Sequence, residues 1–276
     1  MASQIDLREC LNTISDVVNN RPRPLRQFDQ IYMKTADMLL QTEHVSRWFD
    51  KKRIIFIGDG DAIGLSLVHL HQKKLIEFGP KSVHILDFDE RVVLSVRTFA
   101  KRFGIADSVT SELYNVADAL PKEHWEKFDG FYTNPPYGES NNGKSIEVFL
   151  RRGIEAVGED AVGCLVVADY DELSWTRVVL LNSEKIILSK GFIIREMLPK
   201  FHTYHLDDTP DLTSCSIIMK RVKWRKSKYD SKEITLTMRA NFYGEEAPLR
   251  IKYVRDLTGG GKLASSDHKL EPWEGE

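Results

Sequence analysis

The chain has 276 residues, 42% of them hydrophobic, which is enough to bury the core of one large domain or of one domain with an appendage. Its 39 basic side chains nearly balance its 41 acidic ones, which excludes a global attraction to nucleic acid or membrane but leaves a local basic face open. No run reaches the ~20 apolar residues of a membrane span, and the N-terminus MASQIDLREC lacks a signal peptide's apolar core. The cysteines form no CxxC pair. We therefore expect a soluble, cytoplasmic protein with reduced thiols.

The first 50 residues are predicted to form a helical segment and a linker. Apolar residues recur at helical spacing from Ile5 to Val18, and the breaker RPRP follows at 21–24. The segment 25–49 then has the pattern of one or two further amphipathic helices.

From Lys52 onward, short apolar runs alternate with amphipathic ones. This alternation predicts βαβ units, with helices on both faces of a parallel sheet. We therefore predict that residues 51–222 form a doubly wound, mostly parallel α/β domain whose ligand site lies beyond the carboxyl ends of the strands. The predicted strands are 53–58, 82–88, one before 114, 128–133 and 163–168, and the helices are 64–79, 90–104 and 145–158.

The last quarter of the chain is less regular. A helix and the strand FIIREML are predicted first, followed by TSCSIIMKRV as a final, antiparallel edge strand. We predict that residues 223–276 form a C-terminal extension. In it, ITLTMRANFYG and APLRIKYVRDL would pair as a hairpin, and the tail GGGKLASSDHKLEPWEGE would be disordered.

The first predicted strand runs into an acidic turn, GDGDAIG. Gly58 and Gly60 allow the backbone to approach a ligand closely. Asp59 and Asp61 stand where a pyrophosphate would be repelled, so the turn favours a cationic or zwitterionic ligand. S-adenosylmethionine and its decarboxylated form, both sulfonium compounds, meet that requirement.

Polar residues also follow the next two strands. Asp87 and Asp89 come where α/β nucleoside sites place a carboxylate for ribose hydroxyls, and Asn115 or Asp118 could accept from an adenine amino group. The simpler interpretation of each acid is a solvated loop or a helix N-cap, as Asp89 before ERVV could be. Because acidic residues recur at successive strand ends, ligand binding is favoured over this simpler interpretation.

The loop TNPPYG follows the strand 128–133. Its adjacent prolines cannot lie within a helix or a paired strand, and they leave carbonyls facing outward. Asn134, Pro135 and Tyr137 thus provide acceptors and a flat aromatic face that could position an amine for alkylation. The alternative is a turn that closes the strand, with Tyr137 packed in the core.

Two resemblances follow from these motifs. NPPY is the pattern of amino-group methyltransferases, including those that act on adenine in DNA. Over residues 24–220 the chain also resembles the branched-chain polyamine synthases, which have a class I methyltransferase (Rossmann-like) fold and transfer aminopropyl groups from decarboxylated S-adenosylmethionine to spermidine. Longer members carry an N-terminal domain, which we expect here to be at best abbreviated. The segments that carry this resemblance are RPLRQFDQIYMKTAD, FIGDGD, ILDFDERVV, FDGFYTNPPYG, VFLRRGIEA and KGFIIREMLPKF, of which RQFDQIY is the most specific.

The chain departs from that family at two motifs. The family usually has GDDD at the first turn, where this chain has Gly60, and DPPYT at the proline loop, where it has Asn134. The resemblance implies that the loop aspartate is the general base, a role that asparagine cannot fill. Either the proton passes to Asp169, Asp171 or Glu172, or the substrate is an uncharged amine, which would favour methyl transfer. A non-catalytic module that binds a polyamine or nucleoside is a third interpretation.

We predict the residues that bind the polyamine acceptor from clusters of acidic and aromatic side chains, because these attract polyamines by Coulomb and cation–π interactions. The basic stretch RVKWRKSKY could track a phosphate backbone, but a run of charges is usually a solvated face, so nucleic acid is a less favoured partner than a polyamine. The sequence leaves a homodimer open. His202 and His205 lack a third ligand nearby, so we expect no metal. The predicted acceptor residues are Tyr170, Asp171, Glu172, Trp175, Tyr204, Asp207 and Asp208.

Overall fold

The alternating apolar pattern forms nine strands in the computed structural model, which describes residues 6–207, 209–240, 242–243, 249–259 and 267–273. The strands are β1 Arg53–Ile57, β2 Ser82–Asp87, β3 Val109–Leu113, β4 Phe128–Thr133, β5 Val157–Ala168, β6 Phe192–Thr203, β7 Thr213–Arg221, β8 Ile251–Asp256 and β9 His268–Pro272. The helices are α1 Leu7–Asn20, α2 Thr35–Phe49, α3 Ile63–Gln72, α4 Glu90–Arg102, α5 Lys144–Ala156, α6 Ser174–Ser189 and α7 Leu236–Arg239, with 3₁₀ turns at Arg26–Phe28, Lys122–His124 and Glu139–Asn141.

Seven strands form one sheet in the order β3-β2-β1-β4-β5-β7-β6, with β1 to β5 parallel. The doubly wound, mostly parallel prediction is confirmed. One detail was wrong: the antiparallel β7 is not the edge but lies between β5 and β6. The physical reason is burial. Residues 214–219 are buried without interruption, as an interior strand requires, whereas β6 has exposed and half-exposed residues along most of its length and forms the edge.

Helices cover both faces of the sheet. On β1, Ile54 and Phe56 join the hydrophobic core beneath α1, α2 and α3, while Ile55 and Ile57 join the core beneath α5 and α6. Because successive strand residues point to opposite faces, a strand buried on both sides must be apolar throughout. Within the described part of the chain, no helix is long and apolar enough to cross a bilayer.

The C-terminal extension differs from its prediction. Its hairpin forms between β8 and β9, so the segment predicted as a disordered tail supplies a strand, although 260–266 and 274–276 lie outside the described residues. The expected first strand instead contains the short helix α7, which the Thr235 side chain caps by accepting from the backbone N–H of Met238. The extension packs on the core domain: the Val254 N–H donates to the Phe88 carbonyl, and Arg255 pairs with Glu90.

Candidate functional site

A cleft opens at the carboxyl ends of β1, β2, β3 and β4, where the strand order reverses between β1 and β4. The space in and in front of it, counted out into open solvent at the mouth, is about 780 Å³. Seven of the sequence-predicted site residues line it: Gly58, Asp59, Gly60, Asp61, Asp87, Asn115 and Asn134.

The turn after β1 is built around the Asp59 carboxylate. Its two oxygens accept from the backbone N–H groups of Ile63 and Gly64 at the start of α3, both at 2.9 Å. Gly58 has φ +73°, which favours glycine, and a Cβ on Gly64 would lie 2.9 Å from the Asp59 carboxylate. Burial raises the pKa of Asp59 well above its ordinary value. Asp59 therefore shapes the turn and brings a buried acid to the cleft.

Asp61 connects three parts of the site. One carboxylate oxygen accepts from the backbone N–H of Met33 at 2.8 Å, and the other accepts from Asn134 Nδ2 at 2.8 Å. Arg21 Nη1 lies 3.7 Å from the first oxygen. Burial raises the pKa of Asp61, and Arg21 opposes that rise. The N-terminal segment, the acidic turn and the proline loop thus meet at this side chain.

At the end of β2, Asp87 and Asp89 have different surroundings. The Asp87 carboxylate lines the cleft and accepts from the backbone N–H groups of Asp59 at 3.1 Å and Asp89 at 2.9 Å. Burial, with Asp89 next in importance, raises the pKa of Asp87 to about 7. Asp89 is fully buried, caps α4 and pairs with Arg91, and it does not line the cleft. Asp89 therefore fits the simpler interpretation, that of an N-cap.

Only one of the two adenine candidates lines the cleft. Asn115 does so, and its amide is fixed by accepting from the Ala117 N–H and by donating to the Lys252 carbonyl. Asp118 lies outside the lining, and burial raises its pKa against the opposing effect of Lys252. The C-terminal extension thus orients Asn115.

The proline loop contributes Asn134 and Pro136 to the lining, rather than Pro135. Tyr137 is buried, and its hydroxyl hydrogen-bonds to that of Tyr204, which in turn lies 2.6 Å from Ser214 Oγ. Tyr137 and Tyr204 therefore pack beneath the loop and do not line the cleft, as expected if Tyr137 belongs to the core.

The predicted acceptor loops are not brought into the cleft lining. Asp169 accepts from the Lys200 backbone N–H at 2.9 Å, and Asp171 pairs with the Lys200 side chain. Glu172 accepts from the Tyr170 hydroxyl at 3.1 Å. Trp175, which is partly buried in the core, and Asp207, which is exposed, also lie away from the lining. Asp208 is outside the described residues.

The sequence interpretation missed the wall contributed by the N-terminal loop. Residues 28–32 line the cleft, and Asp29 among them has φ +56° and accepts from the Tyr137 backbone N–H at 3.3 Å. Burial raises the pKa of Asp29 to about 6. The available signal was RQFDQIY, which set this chain apart from generic methyltransferases.

Two tyrosines were also missed. Tyr132, at the end of β4, lines the cleft, and its buried hydroxyl has no hydrogen-bond partner within the described ranges. Tyr243 comes from the C-terminal extension and packs edge-on against Phe28, with ring centroids 5.5 Å apart. The cleft is therefore lined by segments from both ends of the chain.

The sheet order and the cleft at its switch point define a class I methyltransferase-like protein. The chain belongs to the family described as the branched-chain polyamine synthase A C-terminal domain, whose model matches residues 9–259. It is 24% identical, over 71% of its length, to an N(4)-bis(aminopropyl)spermidine synthase of Thermococcus kodakarensis, and 28% identical, over 55%, to an uncharacterised protein of Methanocaldococcus jannaschii.

Among solved structures, the fold is similar to that of the branched-chain polyamine synthase of Thermus thermophilus, which was crystallised with N4-aminopropylspermidine and 5'-methylthioadenosine. The TM-score is 0.66 at 22% identity, covering 80% of this chain and 67% of that one. The chain spans 34% to 53% of the length of three curated relatives that it matches.

Proposed function

We propose that the chain carries the catalytic domain of an aminopropyltransferase, which moves an aminopropyl group from decarboxylated S-adenosylmethionine to an amine of a polyamine such as spermidine. The observation that carries this proposal is the charge of the cleft. Four aspartates line it (Asp29, Asp59, Asp61 and Asp87), and the described lining contains no Lys, Arg or His.

The acidic lining favours the decarboxylated donor. That molecule carries a sulfonium and an ammonium and no anionic group, so its charges attract each of the four aspartates that is ionised, and its binding favours their ionised forms over the protonated forms that burial favours. S-adenosylmethionine adds a carboxylate, which the same aspartates would repel. Asp87 retains lone pairs for ribose hydroxyls, and Asn115 provides a fixed amide for adenine. The names of the relatives support this donor and acceptor class.

The acceptor amine is assigned to the space between the proline loop and the N-terminal loop. Asn134 donates its Nδ2 to Asp61, which leaves its Oδ1 as an acceptor for an amine N–H. Because an asparagine cannot take a proton, we assign that task to Asp29, which also lines the cleft and contacts the proline loop through the Tyr137 N–H. Asp169 is less suitable, since it lies outside the lining and holds the Lys200 backbone.

The proposed reaction is a proton transfer followed by a nucleophilic substitution at carbon. The acceptor ammonium gives a proton to the Asp29 carboxylate, and the freed nitrogen lone pair attacks the aminopropyl carbon bonded to sulfur. The carbon–sulfur bond breaks, and its electron pair stays on sulfur as 5'-methylthioadenosine leaves. Burial keeps the pKa of Asp29 near 6, so that it is mostly ionised at pH 7 and remains a better proton acceptor than an ordinary aspartate.

One observation favours a second function. Asn134 in place of the family's aspartate suits an acceptor that carries no proton, as in amino-group N-methyltransferases of the NPPY type. Such an enzyme would use S-adenosylmethionine and would not need Asp29 as a base.

Calorimetric titration with each donor separates these functions, combined with product analysis in the presence of spermidine. Tighter binding of the decarboxylated donor, with release of 5'-methylthioadenosine, is the expected result. Tighter binding of S-adenosylmethionine, with release of S-adenosylhomocysteine, would establish the methyltransferase instead. Binding of a donor without turnover of any amine would indicate a non-catalytic module. Asp87→Ala is the control, because it should abolish binding of either donor, whereas Asp207→Ala should not.

A further inference from the structure

A cluster of two histidines and a glutamate lies on the sheet at its β2–β3 edge, outside the cleft. His84 is on β2, Glu112 on β3 and His124 at the end of the 3₁₀ turn between β3 and β4. One nitrogen or oxygen ligand atom from each lies within 4.8 Å of the others. We propose that these three residues bind a divalent transition metal such as Zn²⁺, in a site separate from the transferase chemistry.

The strand register creates the cluster. His84 pairs across the parallel strands with Thr110, and Glu112 follows two residues later on β3. Because side chains alternate along a strand, Thr110 and Glu112 point to the same face, next to the His84 ring. The turn Lys122–His124 then brings His124 over that face, where its ring centroid lies 4.7 Å from that of His84.

The two distances from the glutamate oxygen to the histidine nitrogens are close to those around a tetrahedral ion. Ligands bonded at ~2.0–2.1 Å to a tetrahedral Zn²⁺ lie about 3.3 Å from one another. Here Glu112 Oε2 lies 3.5 Å from His84 Nε2 and 2.9 Å from His124 Nε2. Two histidines and one carboxylate form a protein ligand set that Zn²⁺ uses when water occupies its fourth position. The Glu112 side chain is 40% exposed, which leaves an entry path from solvent.

His84 provides an independent sign of a missing ligand. Its Nε2 is buried and makes no hydrogen bond to any part of the chain that the structure describes. Its Nδ1 lies 2.8 Å from Thr110 Oγ1. When Nδ1 carries the proton and donates it to Thr110, the Nε2 lone pair faces the Glu112 carboxylate, and a cation between these two acceptors would satisfy both. A ring N–H donated away from the metal is the usual support of a metal-binding histidine.

The role of the ion would be structural. His84 precedes Asp87 by three residues on β2, about 10 Å along the strand and on its opposite face. The ion would tie the β3–β4 connection to the outermost pair of parallel strands. Donor binding in the cleft should therefore be the same with and without metal.

The test is titration of the chelator-treated full chain with Zn²⁺ alone, and with Co²⁺ for its absorption spectrum. We expect one Zn²⁺ per chain and intense tetrahedral Co²⁺ bands. Both should be lost in the His84→Ala/His124→Ala double variant and kept in His205→Ala, which removes an exposed histidine elsewhere.

Two milder variants guard against misfolding. Glu112→Gln removes one ligand charge, and Thr110→Val removes the hydrogen bond to His84; the latter should weaken Zn²⁺ binding about 10–100-fold in a chain that folds normally by circular dichroism. The proposal is overturned if the folded double variant binds Zn²⁺ with unchanged stoichiometry and affinity. A Co²⁺ spectrum that stays that of the octahedral aqueous ion would overturn it as well.

Discussion

Replacing Asp87 by asparagine should make the protein more stable and unable to hold its donor. The pKa of Asp87 is about 7 in the folded chain, against an ordinary 3.8. The unfolded chain therefore loses this proton near pH 4 and the folded chain only near pH 7. Because the folded state binds more protons within that window, the free energy of unfolding falls as pH rises through it.

The size of the effect follows from the same values. A pKa raised from 3.8 to about 7 corresponds, at ~1.4 kcal/mol per pKa unit, to about 4 kcal/mol of destabilisation at pH 8. Asparagine removes that charge, but its NH₂ group must face one of the two backbone N–H groups that Asp87 now accepts, at a cost of about 1–3 kcal/mol. We expect Asp87→Asn to raise the free energy of unfolding at pH 8 by about 1–3 kcal/mol, or Tm by about 2–8 °C.

The assay is thermal and urea denaturation of the ligand-free protein at pH 5 and pH 8, beside donor titration. Asp129→Asn is a matched control of opposite sign. Asp129 is partly exposed and paired with Arg53, which lowers its pKa, so its loss should cost about 1 kcal/mol or less at pH 8. An Asp87→Asn protein less stable than wild type at pH 8, or one that binds the donor normally, would refute the reasoning.

Three further outcomes are expected. Asp29→Asn should lower kcat about 10²–10⁴-fold with a much smaller loss of donor affinity, because three of the four cleft aspartates remain and the asparagine oxygen can still accept from Tyr137 N–H; wild-type kcat/KM should rise with pH through about 6, and an undiminished kcat would assign the proton elsewhere. In Asn134→Asp, a carboxylate replaces the amide whose Nδ2 now donates a hydrogen bond to Asp61 at 2.8 Å, so the two carboxylates repel each other at pH 8. Tm should therefore fall at pH 8 and recover at pH 5, and an equal Tm at both pH values would contradict this. Tyr132→Phe should leave Tm within about 2 °C of wild type, since its hydroxyl has no partner in the described chain, yet weaken donor binding about tenfold, as calorimetry would show.

The sequence alone predicted the parallel part of the sheet and one wall of the cleft, although it misplaced the antiparallel edge. Apolar runs of strand length recur along the chain, and the residues directly after parallel strands must meet at one edge of the sheet. For that reason Asp61, Asp87, Asn115 and Asn134 could be placed near one another without coordinates. Periodicity reports which faces are buried, and in a doubly wound fold it also fixes where the strands end.

Only the tertiary structure decided which of these acids are available to a ligand. Asp89 caps α4, pairs with Arg91 and does not line the cleft, whereas Asp59 lines the cleft although it also accepts from two backbone N–H groups of α3. Sequence pattern does not show how a side chain divides its hydrogen bonds.

The structure also decided which distant segments meet. Asp29 comes from a loop before the first strand and Tyr243 from the far end of the chain, while His84, Glu112 and His124 converge from two strands and a turn. A lone aspartate or histidine carries no local signal of its partners, since those partners are set by strand register and by the packing of loops onto the sheet. Local sequence pattern thus specified the strands and helices, and long-range packing determined which side chains meet at each site.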